Sequence, residues 1–305
     1  MRPSTLYRKS SADPHKTKER SVTQAFPKSD TSTSSDPFFT YEVVKTGKGD
    51  IGLRRCGRGP HTVVLLHGIS SGADSWRECA RLLQNDMLVV AWDAPGYGLS
   101  TPLAQAQPQA VDYAHQLQCL LNELGVEHCL VVGHSLGALM ASGLAKQHNP
   151  CVKQFLLISP ALGYGGTDKA EQVRAGRFAA LSEKGVQGIA QALPNRLLSA
   201  FASEAHRQAV TANAMKLNES GYKQAVELLC GDDIYRYADD FPQNTLVYCG
   251  EADIVTPPEQ SAEFAKRMGF PFKLISRAGH ASYIEQPQQI ADLIHQAMSN
   301  VRGVA

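Results

Sequence analysis

The chain has 305 residues, of which 43% are hydrophobic and 19% are charged, and its formal net charge is +1. This near-neutral balance excludes a global electrostatic attraction to nucleic acid or to anionic membranes, so we expect neither as a partner. No stretch approaches the roughly 18 consecutive apolar residues of a membrane-spanning helix. The composition therefore indicates a globular protein whose ligand is a small neutral or mildly charged molecule.

The seven cysteines are odd in number and lack C-x-x-C spacing. Cys129, Cys151 and Cys249 lie in or beside apolar runs typical of strands. We interpret the cysteines as buried thiols of a protein in a reducing compartment, and we expect a cytoplasmic location. No cluster of His and Cys has the spacing of metal ligands, so neither a metal nor another cofactor is expected.

Residues 1–37 are rich in Ser, Thr, Lys and Arg with scattered Pro, and they lack the apolar region of a secretory signal. We predict a disordered tail here, with a targeting peptide left open. From Phe38 onward, two short strand patterns at residues 39–45 and 51–55 are separated by Gly-rich turns. This arrangement predicts an opening hairpin.

Continuous apolar runs, typical of strands buried in a parallel sheet, then alternate with helical patterns. The predicted strands are residues 62–66, 87–92, 128–132, 152–158, 245–249 and 272–275. The predicted helices are residues 75–84, 111–124, 258–268 and 287–298, with Trp76 in the core and Gly125 as the end of the second. Such alternation predicts an α/β fold with a parallel sheet.

The alternation stops between residues 163 and 240, where no strong strand pattern occurs. Helical patterns cover residues 171–181, 186–193, 203–216 and 222–229. We predict a helical lid at 163–240, inserted between core segments 38–162 and 241–305, over the sheet edge where ligands bind in such folds. Its Arg174, Arg177 and Arg196 are candidate anion contacts, although a solvated surface position is the commoner one for arginine.

The segment Gly133-His134-Ser135-Leu136-Gly137 follows a β-branched apolar run and precedes good helix formers. Glycines two residues before and after Ser135 leave room for a strand and a helix to cross at a sharp turn, from which the serine projects. The unpaired N–H groups at the start of the helix favour a developing oxyanion. This context favours a nucleophilic Ser135 over a structural loop serine.

A serine hydroxyl needs a base to act as a nucleophile, and the base needs a carboxylate that orients it. His280 and Asp253 each lie in a Gly-containing loop just after a predicted strand, so both loops emerge at the edge that holds Ser135. The chain order Ser, Asp, His is the order expected on this architecture. We predict that these three residues form the catalytic set.

Ile69, which follows His67-Gly68 at the end of a buried strand, and Leu136 are the predicted backbone donors of an oxyanion hole. The candidate substrate contacts are Ser70, His134, Tyr164 and Ile254. His134 competes with His280 for the role of base, but a tight turn directs its side chain away from Ser135, so we assign it to packing. The carboxylates that compete with Asp253 are Glu251, Asp232, Asp233, Asp239 and Asp240, and for the last four we expect solvated capping of helices.

The motifs His67-Gly68, Gly133 to Gly137, Gly250 to Asp253 and Gly279-His280 together resemble the α/β-hydrolase superfamily, from Phe38 to the C-terminus. The resemblance implies a mostly parallel eight-stranded sheet with helices on both faces, a helical lid and a Ser-Asp-His triad. Asp93 then lies in a tight structural loop outside the triad.

Two further stretches, Trp92 to Gly98 and Glu285 to Pro287, resemble the branch of bacterial carboxylesterases, 3-oxoadipate enol-lactonases and meta-cleavage-product hydrolases. Meta-cleavage-product hydrolases usually carry a tryptophan directly after the catalytic histidine, where this chain has Ala281. This departure favours hydrolysis of an ester or lactone over cleavage of a C–C bond.

The leading hypothesis is therefore a serine hydrolase that cleaves a small carboxylic ester or enol-lactone through an acyl-enzyme on Ser135. One alternative is C–C bond hydrolysis of a vinylogous diketone by the same triad. The other, from a different class, is a hydrolase-fold receptor that binds a small molecule without turnover, although an intact triad is superfluous for pure binding. A homodimer is left open.

Overall fold

The computed structural model describes Met1 and residues 37–302, so the predicted disordered tail lies outside the described residues except for its two ends. The strands are β1 (Thr40–Thr46), β2 (Gly49–Cys56), β3 (His61–Leu66), β4 (Met87–Trp92), β5 (Cys129–His134), β6 (Val152–Ile158), β7 (Leu246–Gly250) and β8 (Phe272–Ile275). The helices are α1 (Arg77–Leu83), α2 (Ala110–Glu123), α3 (Leu136–Lys146), α4 (Ala170–Ala192), α5 (Pro194–Leu197), α6 (Glu204–Ala214), α7 (Glu219–Gly231), α8 (Pro258–Met268), α9 (Ser282–Glu285) and α10 (Pro287–Arg302).

The strands form one eight-stranded sheet in the order β1-β2-β4-β3-β5-β6-β7-β8. The predicted hairpin is present, because β1 and β2 pair antiparallel, and β2 also pairs antiparallel with β4. Every pairing from β4 to β8 is parallel; Val64, for example, lies between Val90 of β4 and Val131 of β5. The prediction of a mostly parallel α/β sheet is confirmed.

Helices cover both faces of the sheet, which explains why its central strands are apolar throughout. Helix α1 packs against α10 on one face, and α2 packs against α3 on the other. Val63 to Leu66 and Trp76 have no exposed surface, in agreement with the predicted core. Helix α2 ends as predicted at Gly125, whose φ of 62° lies in the left-handed region that favours glycine.

Residues 163–240, all of which the structure describes, form four α-helices and two short 3₁₀ helices and add no strand to the sheet. We call this segment the helical insertion. The two predicted helices at 171–181 and 186–193 both fall within α4, which changes direction at Gly185, where φ is 61°. Helix α4 packs on α6 and α7, and α6 contacts α9 and the short 3₁₀ turn at Ala73–Trp76. The insertion therefore lies against loops at the carboxyl ends of the parallel strands.

The two ends of the insertion meet in a backbone bridge between Gly163 and Asp233. The preceding residue, Asp232, corrects the prediction of solvated capping, because it is completely buried. Its carboxylate accepts hydrogen bonds from the Ala110 amide at 2.7 Å and the Tyr237 hydroxyl at 2.9 Å, and it pairs with Arg236. The first turn of α2, where Ala110 lies, favours a negative charge at this point. Asp233 does cap a helical turn, as predicted, by accepting the amide of Tyr235.

The seven cysteines lie within the described residues, and all are free thiols, five of them buried. Among the described residues, no helix combines the length and the apolar character needed to cross a membrane.

Helix α7 approaches the loop after β4 so closely that Gly221 has no room for a side chain. A Cβ on Gly221 would lie 2.0 Å from the carbonyl oxygen of Gly96. We expect Gly221→Ala to lower the free energy of unfolding by about 1–3 kcal/mol, because the backbones must separate. Thermal and urea unfolding followed by circular dichroism measures this effect.

Gly176→Ala is the matched control, since Gly176 lies in α4 and a Cβ added there would meet no neighbouring atom within 4 Å. There we expect stabilisation of about 0.5–1 kcal/mol, from the better helix propensity of alanine. Equal effects of the two substitutions would contradict the described packing of α7.

Candidate active site

Ser135 occupies a sharp turn between β5 and α3, with φ of 53° and ψ of −118°. A residue with a Cβ rarely adopts a positive φ, so the surrounding structure must hold this conformation. A Cβ on Gly133 would lie 2.7 Å from the Cα of Ala138, and one on Gly137 would lie 2.4 Å from the Leu66 carbonyl oxygen. The two glycines are thus required because strand and helix cross in contact around the serine.

Ser135, Asp253 and His280 follow β5, β7 and β8, and all three strands end at the same edge of the sheet. The loops after β7 and β8 are in direct backbone contact. The Ala252 amide donates to the Ala278 carbonyl at 2.8 Å, and a Cβ on Gly250 would lie 2.0 Å from the Gly279 carbonyl oxygen. This contact places Asp253 beside His280, although 27 residues separate them in the chain.

Asp253 and His280 form a buried pair, with 2.8 Å between the Asp253 Oδ2 and His280 Nδ1 atoms. The other oxygen, Oδ1, accepts the amides of Val255 at 2.8 Å and Thr256 at 3.0 Å. Burial alone would raise the pKa of Asp253, but the charge and hydrogen bond of His280 and the Thr256 amide outweigh it and hold the pKa below its usual range. The ionised carboxylate accepts the Nδ1–H of His280 and leaves its Nε2 available as a base.

Ser135 and His280 line a cavity of about 250 Å³ between the sheet edge and the helical insertion. Ile69 and Leu136, the predicted oxyanion donors, line the same cavity. Within residues 37–302 neither of their amides has a protein acceptor, as expected for Leu136 at the start of α3. Among the described residues, no group of three or more His, Cys, Asp or Glu could hold a metal ion.

Three of the predicted substrate contacts, Ser70, His134 and Tyr164, line the cavity wall. Ile254 does not, and 72% of its surface is exposed. Its neighbour Val255 lines the cavity instead. The residues of this loop that line the cavity therefore begin one position after the predicted one.

Tyr97 supports the loop that carries Ile69, a role that the sequence analysis missed. Its buried hydroxyl donates to the Ile69 carbonyl at 2.7 Å, and its ring packs against His67 with 4.7 Å between centroids. Asp93 in the same tight loop accepts the Ala73 amide at 2.8 Å, consistent with the structural role predicted for it. The only sequence signal for Tyr97 is its place within that loop.

His134 packs beneath the site, as predicted, and it also holds His280. Its Nε2–H donates to the His280 carbonyl at 2.8 Å, and its ring contacts Tyr283 with 4.7 Å between centroids. Burial, together with the nearby His280, lowers the pKa of His134 from 6.5 to about 3, so the ring is neutral at neutral pH.

Glu285 is a second buried support that the sequence analysis did not assign. Its carboxylate accepts the Gly279 amide at 2.6 Å, directly before His280. It also accepts the Ser199 hydroxyl at 2.5 Å and the Ser199 amide at 3.0 Å. Because Ser199 belongs to the helical insertion, this carboxylate couples the insertion to the loop that carries His280.

The three arginines predicted as candidate anion contacts divide into two groups. Arg174 pairs with Glu171 and Glu227 and does not line the cavity. Arg177 and Arg196 do line it, although Arg196 also reaches solvent and Arg177 is half-buried.

A model of the alpha/beta hydrolase family matches residues 63–293 of this chain. RutD of Escherichia coli O157:H7, to which carbamate hydrolysis is provisionally ascribed, is 24% identical over 246 residues, covering 78% of this chain and 91% of RutD. The 2-hydroxy-6-oxononadienedioate/2-hydroxy-6-oxononatrienedioate hydrolase 1 of Dechloromonas aromatica is 30% identical over 132 residues, or 41% of this chain and 46% of that protein.

Among solved structures, the enol-lactonase from Burkholderia xenovorans LB400 is similar, with a TM-score of 0.74. The superposition covers 84% of this chain and 99% of the enol-lactonase at 19% sequence identity. At this identity the likeness shows that the two chains share a fold.

The lowered pKa of His134 makes stability depend on pH. Between pH 6.5 and about 3 the unfolded chain binds a proton at this position that the folded chain does not, so the free energy of unfolding falls as the pH falls. We expect His134 alone to lower the free energy of unfolding by about 2 kcal/mol when the pH falls from 6.5 to 4.5. Urea unfolding at both pH values measures the loss.

In His134→Gln, the drop in the free energy of unfolding between pH 6.5 and 4.5 should be smaller by about 2 kcal/mol than in the native protein. His115→Gln is the control, because His115 is exposed on α2, and it should leave the drop unchanged. Burial lowers the pKa of His67 as well, so part of the pH dependence remains in both variants. The ionised Asp253 carboxylate also stabilises the folded protein, but this stabilisation is lost only below pH 3.8, outside the pH range of the His134 effect. An unchanged pH dependence in His134→Gln would contradict a buried neutral His134.

Proposed function

Because the chain belongs to the alpha/beta hydrolase family, we propose that it is a serine hydrolase that cleaves a small carboxylic ester or enol-lactone through an acyl-enzyme on Ser135. One observation carries the proposal. One cavity is lined by His280, which is paired with the buried Asp253 carboxylate, by a serine on a strained turn, and by two residues whose backbone amides have no acceptor within residues 37–302. The enol-lactonase that shares the fold adds support for the substrate class.

In the first half of the reaction, the Ser135 hydroxyl oxygen attacks the substrate carbonyl carbon while His280 Nε2 takes the hydroxyl proton. The carbonyl oxygen becomes an oxyanion that accepts hydrogen bonds from the amides of Ile69 and Leu136. The tetrahedral intermediate collapses, the bond to the leaving oxygen breaks, and His280 gives that oxygen the proton. The acyl group remains as an ester on Ser135.

In the second half, a water molecule attacks the acyl-enzyme while His280 accepts its proton. Collapse releases the carboxylic acid and returns the proton to Ser135. Asp253 stays ionised throughout and stabilises the imidazolium that forms twice in each cycle. The helical insertion acts as a lid that limits access of bulk water to the cavity, the role expected for it in the sequence analysis.

The partial match to the oxononadienedioate hydrolase of Dechloromonas aromatica favours C–C bond hydrolysis as the second candidate. This reaction would use the same Ser135 and His280. Ala281 is small and buried next to His280, and it lines the cavity where the aromatic ring typical of that branch would lie. A panel of short 4-nitrophenyl esters, enol-lactones, ring-fission diketones and N-alkyl carbamates ranks the candidates by kcat/KM.

Ser135→Ala should lower kcat for 4-nitrophenyl butyrate by at least about a thousandfold, because the variant lacks the hydroxyl that attacks the carbonyl carbon. Asp253→Asn should lower kcat by about a thousandfold or more, since the imidazole loses the acceptor that sets its tautomer. Ser142→Ala is the control; Ser142 is buried in α3, and its hydroxyl donates only to the Leu139 carbonyl. Wild-type turnover by Ser135→Ala would refute the proposed nucleophile.

Labelling with a fluorophosphonate distinguishes a hydrolase from a receptor that only binds its ligand. We expect the native protein and Ser142→Ala to be labelled at Ser135, and Ser135→Ala to remain unlabelled, because the reagent reacts with an activated serine. Mass spectrometry of tryptic peptides locates the adduct. A native protein that resists labelling would favour the receptor.

A further inference from the structure

The charges that line the cavity have one sign. Three side chains with a formal charge line it, Lys169, Arg177 and Arg196, and all are positive. Within residues 37–302 no aspartate or glutamate lines it, and Asp253 contacts His280 from outside the cavity. All three cations belong to the helical insertion, whereas the catalytic residues come from the sheet edge. The cavity therefore presents the nucleophile from one side and positive charge from the other.

Arg177 and Arg196 have no carboxylate partner among the described residues. Arg174, one turn before Arg177 in α4, shows the usual arrangement, with Glu171 and Glu227 as partners. Arg177 thus differs from Arg174 on the same helix, because it lines the cavity without a carboxylate partner. Burial and the charge of Arg177 together lower the pKa of Arg196, so the two guanidinium groups repel each other.

Neutral side chains position Arg177. Its Nη1 atom donates to the hydroxyl of Tyr222 at 3.3 Å, and Tyr222 is itself buried. Tyr164 lines the same cavity wall near Arg196. A hydroxyl orients a guanidinium group without neutralising it, so the positive charge remains available to a ligand.

We propose that the substrate carries a carboxylate group apart from its scissile bond, and that Arg177 and Arg196 bind this carboxylate on the insertion side of the cavity. The inference rests on the proposed function, whose substrate class it narrows to an anionic ester or lactone. A guanidinium fork matches a carboxylate, and a ligand carboxylate between the two arginines would remove their repulsion. Lys169, exposed at the wall, adds attraction for incoming anions.

A pair of esters of similar size tests the proposal. 4-Nitrophenyl butyrate is neutral, and the mono-4-nitrophenyl ester of succinic acid carries a carboxylate at the far end of a similar acyl chain. The native protein should show a kcat/KM at least about tenfold higher for the succinate ester, the effect of one charge-assisted hydrogen bond. 4-Acetoxybenzoate and 4-methylphenyl acetate repeat the comparison with the carboxylate on the leaving group.

Arg196→Gln and Arg177→Gln should each lower the ratio of kcat/KM for the anionic ester to that for its neutral partner by about tenfold. Arg196→Gln is the cleaner variant, since Arg196 has no side-chain hydrogen bond within the described residues. Arg174→Gln is the matched control, because it removes the same charge from α4 outside the cavity, and it should retain the native ratio. Native protein that prefers the neutral member of both pairs, or Arg variants that keep the native ratio, would overturn the proposal.

A binding measurement separates this proposal from the proposed function. Calorimetric titration with glutarate should give a Kd about tenfold lower for the native protein than for Arg196→Gln, whether or not any ester is hydrolysed. Glutarate binding without ester hydrolysis would reject the serine hydrolase and retain the anion site. Ester hydrolysis without a preference for anionic esters and without glutarate binding would reject the anion site and retain the hydrolase.

Discussion

The crossing of β5 and α3 at Ser135 is the constraint on which the site depends. Strand and helix approach until a Cβ on Gly133 or Gly137 would overlap backbone atoms, and Ser135 is held at a positive φ. A backbone conformation of this kind is strained, so the packing of the surrounding strands and helices must compensate for its free-energy cost. It places the hydroxyl at the cavity, and the same geometry leaves the Leu136 amide without an acceptor at the start of α3.

Buried polar groups hold the backbone around Ile69 and His280, the other parts of the candidate site. Tyr97 holds the Ile69 carbonyl, His134 holds the His280 carbonyl, and Glu285 holds the Gly279 amide. The first two contacts join segments at the ends of different strands, whereas Glu285 braces Gly279 from six residues further along the chain. Buried, satisfied hydrogen bonds of this kind rigidify a site more than exposed ones, because water does not compete for them. Glu285 extends the network to Ser199, and thereby to the helical insertion.

The insertion differs from the core in its charge as well as its architecture. Among the described residues, the side chains with a formal charge that line the cavity are all positive and all belong to the insertion, whereas the sheet edge lines it with neutral groups. In the proposed function, the reacting groups come from the sheet edge and the contacts to a substrate anion come from the insertion.

The order of strands and helices, the parallel sheet and the candidate set of Ser135, Asp253 and His280 could be predicted from the sequence, because periodicity, glycine spacing and strand ends are local signals. The same signals pointed to Ile69 and Leu136, which line the cavity. The folded structure was needed to establish the burial of Asp232, the exposure of Ile254, and the contacts of Tyr97 and Glu285. It also separated the ion-paired Arg174 from Arg177 and Arg196. These properties depend on which side chain from a distant segment lies opposite, and hydrophobic periodicity carries no information about such contacts.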